Sequence, residues 1–251
     1  MTAPVALVTG GSGGIGRATT LALAAIGFDI AVHFNANAEK ADAVAAEIRR
    51  MGRQAETYAA DLCRTGAPDS LIGAVTGRFN RLDLLVNNAG GYRRFDHFRD
   101  LDDEEWDYAM TLNAKVPLWL CRAAWPFLEQ AARDAGSGRI VNVSSNSVKY
   151  PSPNAVHYRA AKAALEAITA SLAKAGASCG ILVNAVRPGV IATGMQANLV
   201  GYDETRLQSR IGMIPMGRAG TAEEVAALIA FLAGSGAAYI TGQTFAVAGG
   251  E

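Results

Sequence analysis

The sequence predicts a doubly wound α/β fold: one parallel sheet with helices on both faces. Three observations predict it. Short apolar β-type runs alternate with amphipathic helical stretches from end to end, the first strand–helix junction is a glycine-rich turn, and no linker, repeat or low-complexity tract interrupts the alternation.

Pro4 to Thr9 is a β-rich apolar run that ends in glycines, and Ile15 to Ile26 then carries apolar residues at helical spacing before stopping at Gly27. Phe28 to Phe34 reads as the second strand. Ala38 to Met51 follows as a helix with Ala41, Val44, Ala45 and Ile48 on one side, closed by Gly52. Ala55 to Ala60 is the third strand. A helix near Ser70 to Phe79, a strand at Leu82 to Val86, a long helix near Glu104 to Gln130 and a strand at Arg139 to Ser144 continue the pattern. Then come a helix near His157 to Ala175, a strand at Ile181 to Val186, a helix near Glu223 to Ala233 and a last strand near Thr244 to Val247. Pro188 to Gly220 has weak periodicity. It follows a strand directly, where ligands bind in open α/β sheets, so residues 188–220 are expected to be a substrate lid on a single domain spanning 1–251.

Composition narrows the function. The chain has 251 residues, half of them hydrophobic, enough to bury one sizeable core. Lys plus Arg and Asp plus Glu both total 23, so no global charge bias favours nucleic acid or an anionic membrane. Cys63, Cys121 and Cys179 form no CxxC pair and are odd in number, which argues against a disulfide framework or a metal site. No apolar run approaches the roughly 20 residues that a bilayer demands, and MTAPVALVTG is not a secretory signal. A cytoplasmic location is expected.

Thr9 to Gly16 reads TGGSGGIG. Glycines there permit positive φ and close approach of a pyrophosphate, whose charge the helix N-terminus and exposed amides favour. Two templates fit: GxxxGxG on Gly10, Gly14 and Gly16, and GxGxxG on Gly11, Gly13 and Gly16. Further on, Tyr158 and Lys162 stand four residues apart on one helical face. A phenol is a poor acid near neutrality, and an adjacent ammonium is expected to lower its pKa. Ser144 and Ser145, at a strand end upstream, supply a hydroxyl for the carbonyl oxygen that Tyr158 would protonate.

Taken together, these motifs resemble the short-chain dehydrogenase/reductases along nearly the whole chain. The resemblance runs through TGGSGGIG, Asp61 after the third strand, NNAG at Asn87 to Gly90 and Asn113. It continues through Ser145, YRAAK at Tyr158 to Lys162, RPG at Arg187 to Gly189 and TGQTFAVAGG near the end. It implies a Rossmann-type sheet of seven parallel strands in the order 3-2-1-4-5-6-7, and selects Gly10, Gly14 and Gly16 as the phosphate-loop glycines, with Ser12, Gly13 and Ile15 beside them. It further implies that Tyr158 is the general acid in reduction, that Lys162 binds the nicotinamide ribose, that Ser145 rather than Ser144 orients substrate, and that Asn113 holds a relay water. By the same resemblance Asp61 and Leu62 meet the adenine, Asn87, Ala89 and Gly90 line the adenosine ribose side, and Pro188, Gly189, Ile191 and Thr193 flank the nicotinamide.

An acid at the end of the second strand marks NAD-preferring members of that family. Here the position is Phe34, followed by Asn35, Ala36 and Asn37. NADP(H) is therefore the favoured cofactor, with Asn35 and Asn37 as donors and Arg17 as a substitute cation; NAD(H) is the alternative. Around the substrate stand Tyr92, Asn146 and Met195, with Ser147, Tyr150, Asn154, Met213 and Met216 farther out. Arg93 and Arg94 are read as an exposed charge pair rather than an acid-binding site.

The expected function is hydride transfer between NADP(H) and a small ketone or secondary alcohol; the pattern resembles both bacterial 3-oxoacyl-carrier-protein reductases and pteridine-reductase-like members, so a 3-oxoacyl thioester is one candidate substrate. A non-catalytic dinucleotide sensor on the same fold is the competing class, and a complete tetrad of Asn113, Ser145, Tyr158 and Lys162 counts against it. A sugar-nucleotide epimerase would need a larger C-terminal substrate region than 188–220. Trp119, Leu120, Trp125 and Phe127, with the apolar last strand, suit a homotetramer.

Overall fold

The computed structural model describes residues 3–136, 138–193 and 204–251. Seven parallel strands form one sheet in the order β3-β2-β1-β4-β5-β6-β7. They are β1 (Val5–Val8), β2 (Asp29–Phe34), β3 (Ala55–Ala59), β4 (Leu84–Asn87), β5 (Gly138–Val143), β6 (Ile181–Pro188) and β7 (Thr244–Val247). The helices are α1 (Gly14–Ala25), α2 (Ala38–Arg50), α3 (Ala67–Phe79), α4 (Asp103–Met110), α5 (Val116–Ala135), α6 (Val156–Gly176), α7 (Glu204–Gly212) and α8 (Ala222–Ala233).

Strand alternation feeds two separate cores. Ala6 and Val8, Ile30 and Val32, Leu84 and Val86, and Val141 and Val143 face α1, α2 and α8, where they meet Leu23, Val44, Ile48, Val225 and Ile229. Their neighbours Val5, Leu7, Ala31, Leu85, Ile140 and Val183 face the other way, onto Leu71, Ile72, Val75, Leu120, Ala124 and Leu128 of α3 and α5. Strands buried on both faces carry continuous apolar runs, as the sequence does.

Two segments differ from their sequence reading. The long helix is not continuous: a wide π turn, Thr111–Lys115, separates α4 from α5. Pro117 lies four residues after Asn113 and has no N–H for the Asn113 carbonyl, so a regular α-helical ladder cannot pass this point. Within 188–220 the helix α7 occupies Glu204–Gly212, and Ile191 bridges Gly220 to close the segment on itself. Residues 194–203 of the expected lid, Met195 among them, lie outside the described residues.

The order reverses between β1 and β4, which opens a crevice at their carboxyl ends. The glycine turn leaves β1 there and the NNAG turn leaves β4. They are sewn together: Asn88 Nδ2 donates to Thr9 O at 2.8 Å and to Gly10 O at 3.2 Å, while Thr9 Oγ1 accepts from the amides of Asn88 and Ala89.

Candidate active site

A cleft of about 730 Å³ runs from this crevice along the sheet's carboxyl edge. At one end stand Asn35, Lys40, Asp61 and Leu62; the middle is floored by Gly10, Gly13, Gly14 and Ile15; at the far end are Ser145, Tyr158, Lys162, Pro188, Gly189, Ile191 and Thr193. Gly10 and Gly14 have φ of +64° and +49°, where a side chain would be strained. A Cβ on Gly16 would lie 2.1 Å from Gly10 O, so this third glycine lets α1 approach the turn. That pattern is GxxxGxG. Gly13 of the other template has a negative φ and open space about it.

The elongated cleft and the helix N-terminus on its floor fit a dinucleotide: α1 begins at Gly14 and presents its first amides where a pyrophosphate would sit. His33, missed by the sequence reading because a strand histidine reads as core, lines the cleft beneath the turn. Its Nδ1 accepts from Gly10 N at 3.1 Å and its Nε2 lies 3.0 Å from Ala60 O. Only the neutral ring with the proton on Nε2 satisfies both neighbours.

Several expected residues serve other ends. Asn87 is buried, and its Nδ2 donates to Asn142 Oδ1 at 2.8 Å; strand alternation turns it inward and leaves Asn88 to line the cleft. Asn37 caps α2 by accepting from Lys40 N, and Asn35 rather than Asn37 reaches the cleft. Arg17 is engaged with Glu47 at 2.7 Å, and Lys40 is the cation lining the adenosine end. Neither Ser12 nor Gly16 lines the cleft.

At the reacting end, α6 carries Tyr158 and Lys162 on one face, with the lysine Nζ 5.7 Å from the tyrosine ring centroid. Lys162 is only 3% exposed; its Nζ donates to Val143 O at 2.7 Å, and burial brings its pKa down to about 7. In the free chain, burial also raises the Tyr158 pKa, opposed by a hydrogen bond with Ser145. The sequence expectation of a lowered phenol is therefore not met in this state, because burial of the phenol itself outweighs its bond to Ser145. Ser144 points away to Glu166 at 2.6 Å, while Ser145 Oγ accepts from Ser147 N and remains beside Tyr158.

Asn113 is fully buried beneath the site. Its Oδ1 accepts from Gly91 N at 2.9 Å, and its Nδ2 donates to Gly91 O at 2.7 Å and Ala109 O at 2.8 Å. The amide group is thus spent on holding the turn after NNAG. That turn places Tyr92 with its ring centroid 4.8 Å from that of Tyr158. Arg93 pairs with Glu104 and buried Glu105, and Arg94 with Asp96 and Asp102, so both arginines are neutralised by carboxylates. Asn146 is buried with its Nδ2 3.5 Å from Glu251 Oε2, and Asn154 donates to Phe95 O. Among the described residues no helix is long and apolar enough to cross a membrane, and no cluster of three or more His, Cys, Asp or Glu is arranged for a metal ion.

Residues 10–251 match a family model described as enoyl-(acyl carrier protein) reductase. A 3-oxoacyl-[acyl-carrier-protein] reductase of Synechocystis is 42% identical over 251 residues, covering 100% of this chain and 97% of that protein. The crystal structure of an acetoin dehydrogenase from Salmonella typhimurium superposes with a TM-score of 0.88 at 34% identity, covering 99% of this chain and 96% of that one. A blue fluorescent protein from a metagenomic library, solved with NADPH, superposes at 0.89 with 30% identity, covering 98% and 97%.

Proposed function

The chain belongs to the short-chain dehydrogenase/reductase family and is an NAD(P)-dependent oxidoreductase, and from that premise we propose an NADP(H)-dependent reductase of small ketones, with 3-oxoacyl thioesters as its substrate class. The observation that carries the cofactor half is Lys40. It is a cation in the first turn of α2 that lines the adenosine end of the cleft, and the strand before that helix ends in Phe34 rather than in an acid that would repel a 2′-phosphate. Asn35 adds a donor on the same wall. The thioester reading draws on the relatedness to 3-oxoacyl-carrier-protein reductases.

Pro188, Gly189, Ile191 and Thr193 would hold a nicotinamide, which would supply or accept the hydride at the carbonyl carbon. In reduction the Tyr158 hydroxyl gives its proton to the carbonyl oxygen, and Ser145 Oγ–H holds that oxygen in line. Lys162 holds the ribose hydroxyls and, when protonated, stabilises the phenolate that Tyr158 leaves behind. Asn113 fixes the Gly91 turn by its side chain, so a relay water falls to its backbone carbonyl, which Pro117 cannot occupy. Tyr92 and Asn146 border the substrate. The catalytic unit is the single domain 1–251. It assembles as a homo-oligomer through exposed apolar side chains such as Phe231 on α8 and Tyr239.

The test is a panel of 3-oxoacyl thioesters, acetoin-like ketones, quinones and pterins, followed by nicotinamide absorbance with both cofactors. Higher kcat/KM with NADPH and a 3-oxoacyl thioester is expected; equal or better use of NADH defeats the cofactor reading. Lys40→Glu should raise the NADPH KM by about 10-fold or more, given roughly 1.5–3 kcal/mol for a charge-assisted contact, while sparing NADH. Tyr158→Phe should abolish turnover with cofactor binding intact.

A further inference from the structure

Behind the catalytic pair, one carboxylate joins three elements of the site. Glu166 lies four residues beyond Lys162 and eight beyond Tyr158, so α6 carries all three on one face. Its Oε1 accepts from Ser144 Oγ at 2.6 Å and from Arg187 Nε at 2.9 Å, and its Oε2 accepts from Arg187 Nη2 at 2.5 Å. Both side chains of the ion pair are largely buried, Arg187 at 12% and Glu166 at 16% exposure. Ser144 is the residue before Ser145 at the end of β5, and Arg187 is the residue before Pro188 at the end of β6.

We propose that Glu166 is a positioning residue for the reaction: it ties the ends of β5 and β6 to α6, and so fixes Ser145 and the Pro188–Gly189 turn relative to Tyr158 and Lys162. This rests on the assignment of those four places to proton transfer and nicotinamide contact. A two-pronged guanidinium–carboxylate pair sets both distance and plane, which a single contact does not. Ser144 N also donates to Val186 O at 2.7 Å, so the two strand ends already move as one body, and Glu166 is what locks that body to the helix bearing the acid. The carboxylate uses three acceptor directions on three donors. An amide in its place would turn an NH2 toward at least one of them.

A purely structural ion pair would destabilise the fold when broken, so stability and catalysis must be read separately. Removing one partner strands the other as a buried charge, whereas replacing both by apolar groups of similar volume is often neutral. Three variants are compared: Glu166→Gln, Ser144→Ala, and the double variant Glu166→Leu with Arg187→Leu. For each, kcat and KM at saturating NADPH, the melting temperature, and the Kd of 2′,5′-ADP, a probe confined to the adenosine end, are measured. The expected result is a kcat lower by about 10- to 100-fold in Glu166→Gln and in the double variant, the scale of loss when a site is misplaced by an ångström or so. Ser144→Ala should lose several-fold. The melting temperature should recover in the double variant while kcat does not, with 2′,5′-ADP affinity unchanged throughout. Recovery of parental kcat together with stability in the double variant would overturn the proposal, as would parental kcat in both Glu166→Gln and Ser144→Ala. Turnover surviving in Tyr158→Phe would instead strike at the assignment of the acid, a separate failure.

Discussion

His33 makes cofactor binding depend on its own proton. Gly10 N–H donates to Nδ1 at 3.1 Å, and Nε2 faces Ala60 O at 3.0 Å, so protonation would set an N–H against the Gly10 amide. Burial lowers the pKa of this ring from 6.5, with the Ala60 hydrogen bond opposing as the smaller effect. Between the lowered folded value and 6.5 the unfolded chain binds more protons than the folded one, so stability falls as the pH drops through this window. Cofactor affinity falls later, as the pH passes the folded value and Gly10 loses its acceptor. A buried amide left unpaired costs about 1–3 kcal/mol, which is roughly 5- to 150-fold in Kd when the cost falls on the binding-competent loop. The assay is NADPH Kd by nucleotide fluorescence from about pH 8 to about pH 5, the range over which a histidine charges. His33→Asn is the comparison: its Oδ1 takes the place of Nδ1 and does not titrate. The nucleotide phosphate titrates too, but equally for both proteins. In acid the parent should lose about 5-fold or more affinity over and above the loss seen in His33→Asn. An identical acid loss in both would refute the reasoning.

Other outcomes follow from close approaches and burial. A Cβ on Gly90 would stand 2.8 Å from Lys162 Nζ and 2.7 Å from Asn113 Oδ1, so Gly90→Ala should displace the amine and cut kcat by about 10-fold or more at near-parental circular dichroism; parental turnover would show that the amine has room to spare. Gly16→Ala, with a Cβ 2.1 Å from Gly10 O, should cost about 1–3 kcal/mol in urea unfolding and weaken NADPH binding; unchanged stability would mean that the turn yields freely. In the free protein Lys162 titrates near 7 instead of 10.5. The unfolded chain then holds the extra proton between those values, so stability should rise with pH across that window, and Lys162→Met should flatten the rise.

Most of the sheet was legible because each strand carries β-type apolar residues between turn signals, and the Thr244–Val247 strand coincides with its reading. Helix α7 was not legible: Glu204–Gly212 is mostly polar and sits in a stretch whose glycines, prolines and methionines mask any period. The break at Thr111–Lys115 leaves one signal, Pro117, which the strong amphipathic periodicity around it conceals. At the site, the Tyr158 and Lys162 pair is readable as spacing, whereas Ser145 rather than Ser144 is what the family resemblance implies. Which asparagine of NNAG faces the cleft is not readable, since that depends on the phase in which β4 ends. Lys40 and His33 escaped for a related reason: the register of β2 on β3 and the fold of the turn bring them to the cleft, and neither leaves a local pattern.

The π turn has a consequence for the orientation of the helix that follows it. Were Pro117 replaced and Thr111–Lys115 wound as regular α-helix at unchanged length, everything downstream would rotate by about 100°. Leu120, Cys121, Ala124 and Leu128, all buried now, would swing away from the sheet. With about 1.5–3 kcal/mol at stake for each large side chain, the hydrophobic seat of α5 opposes straightening. The irregularity under Asn113 is thus guarded from a distance, by leucines that never touch the reaction.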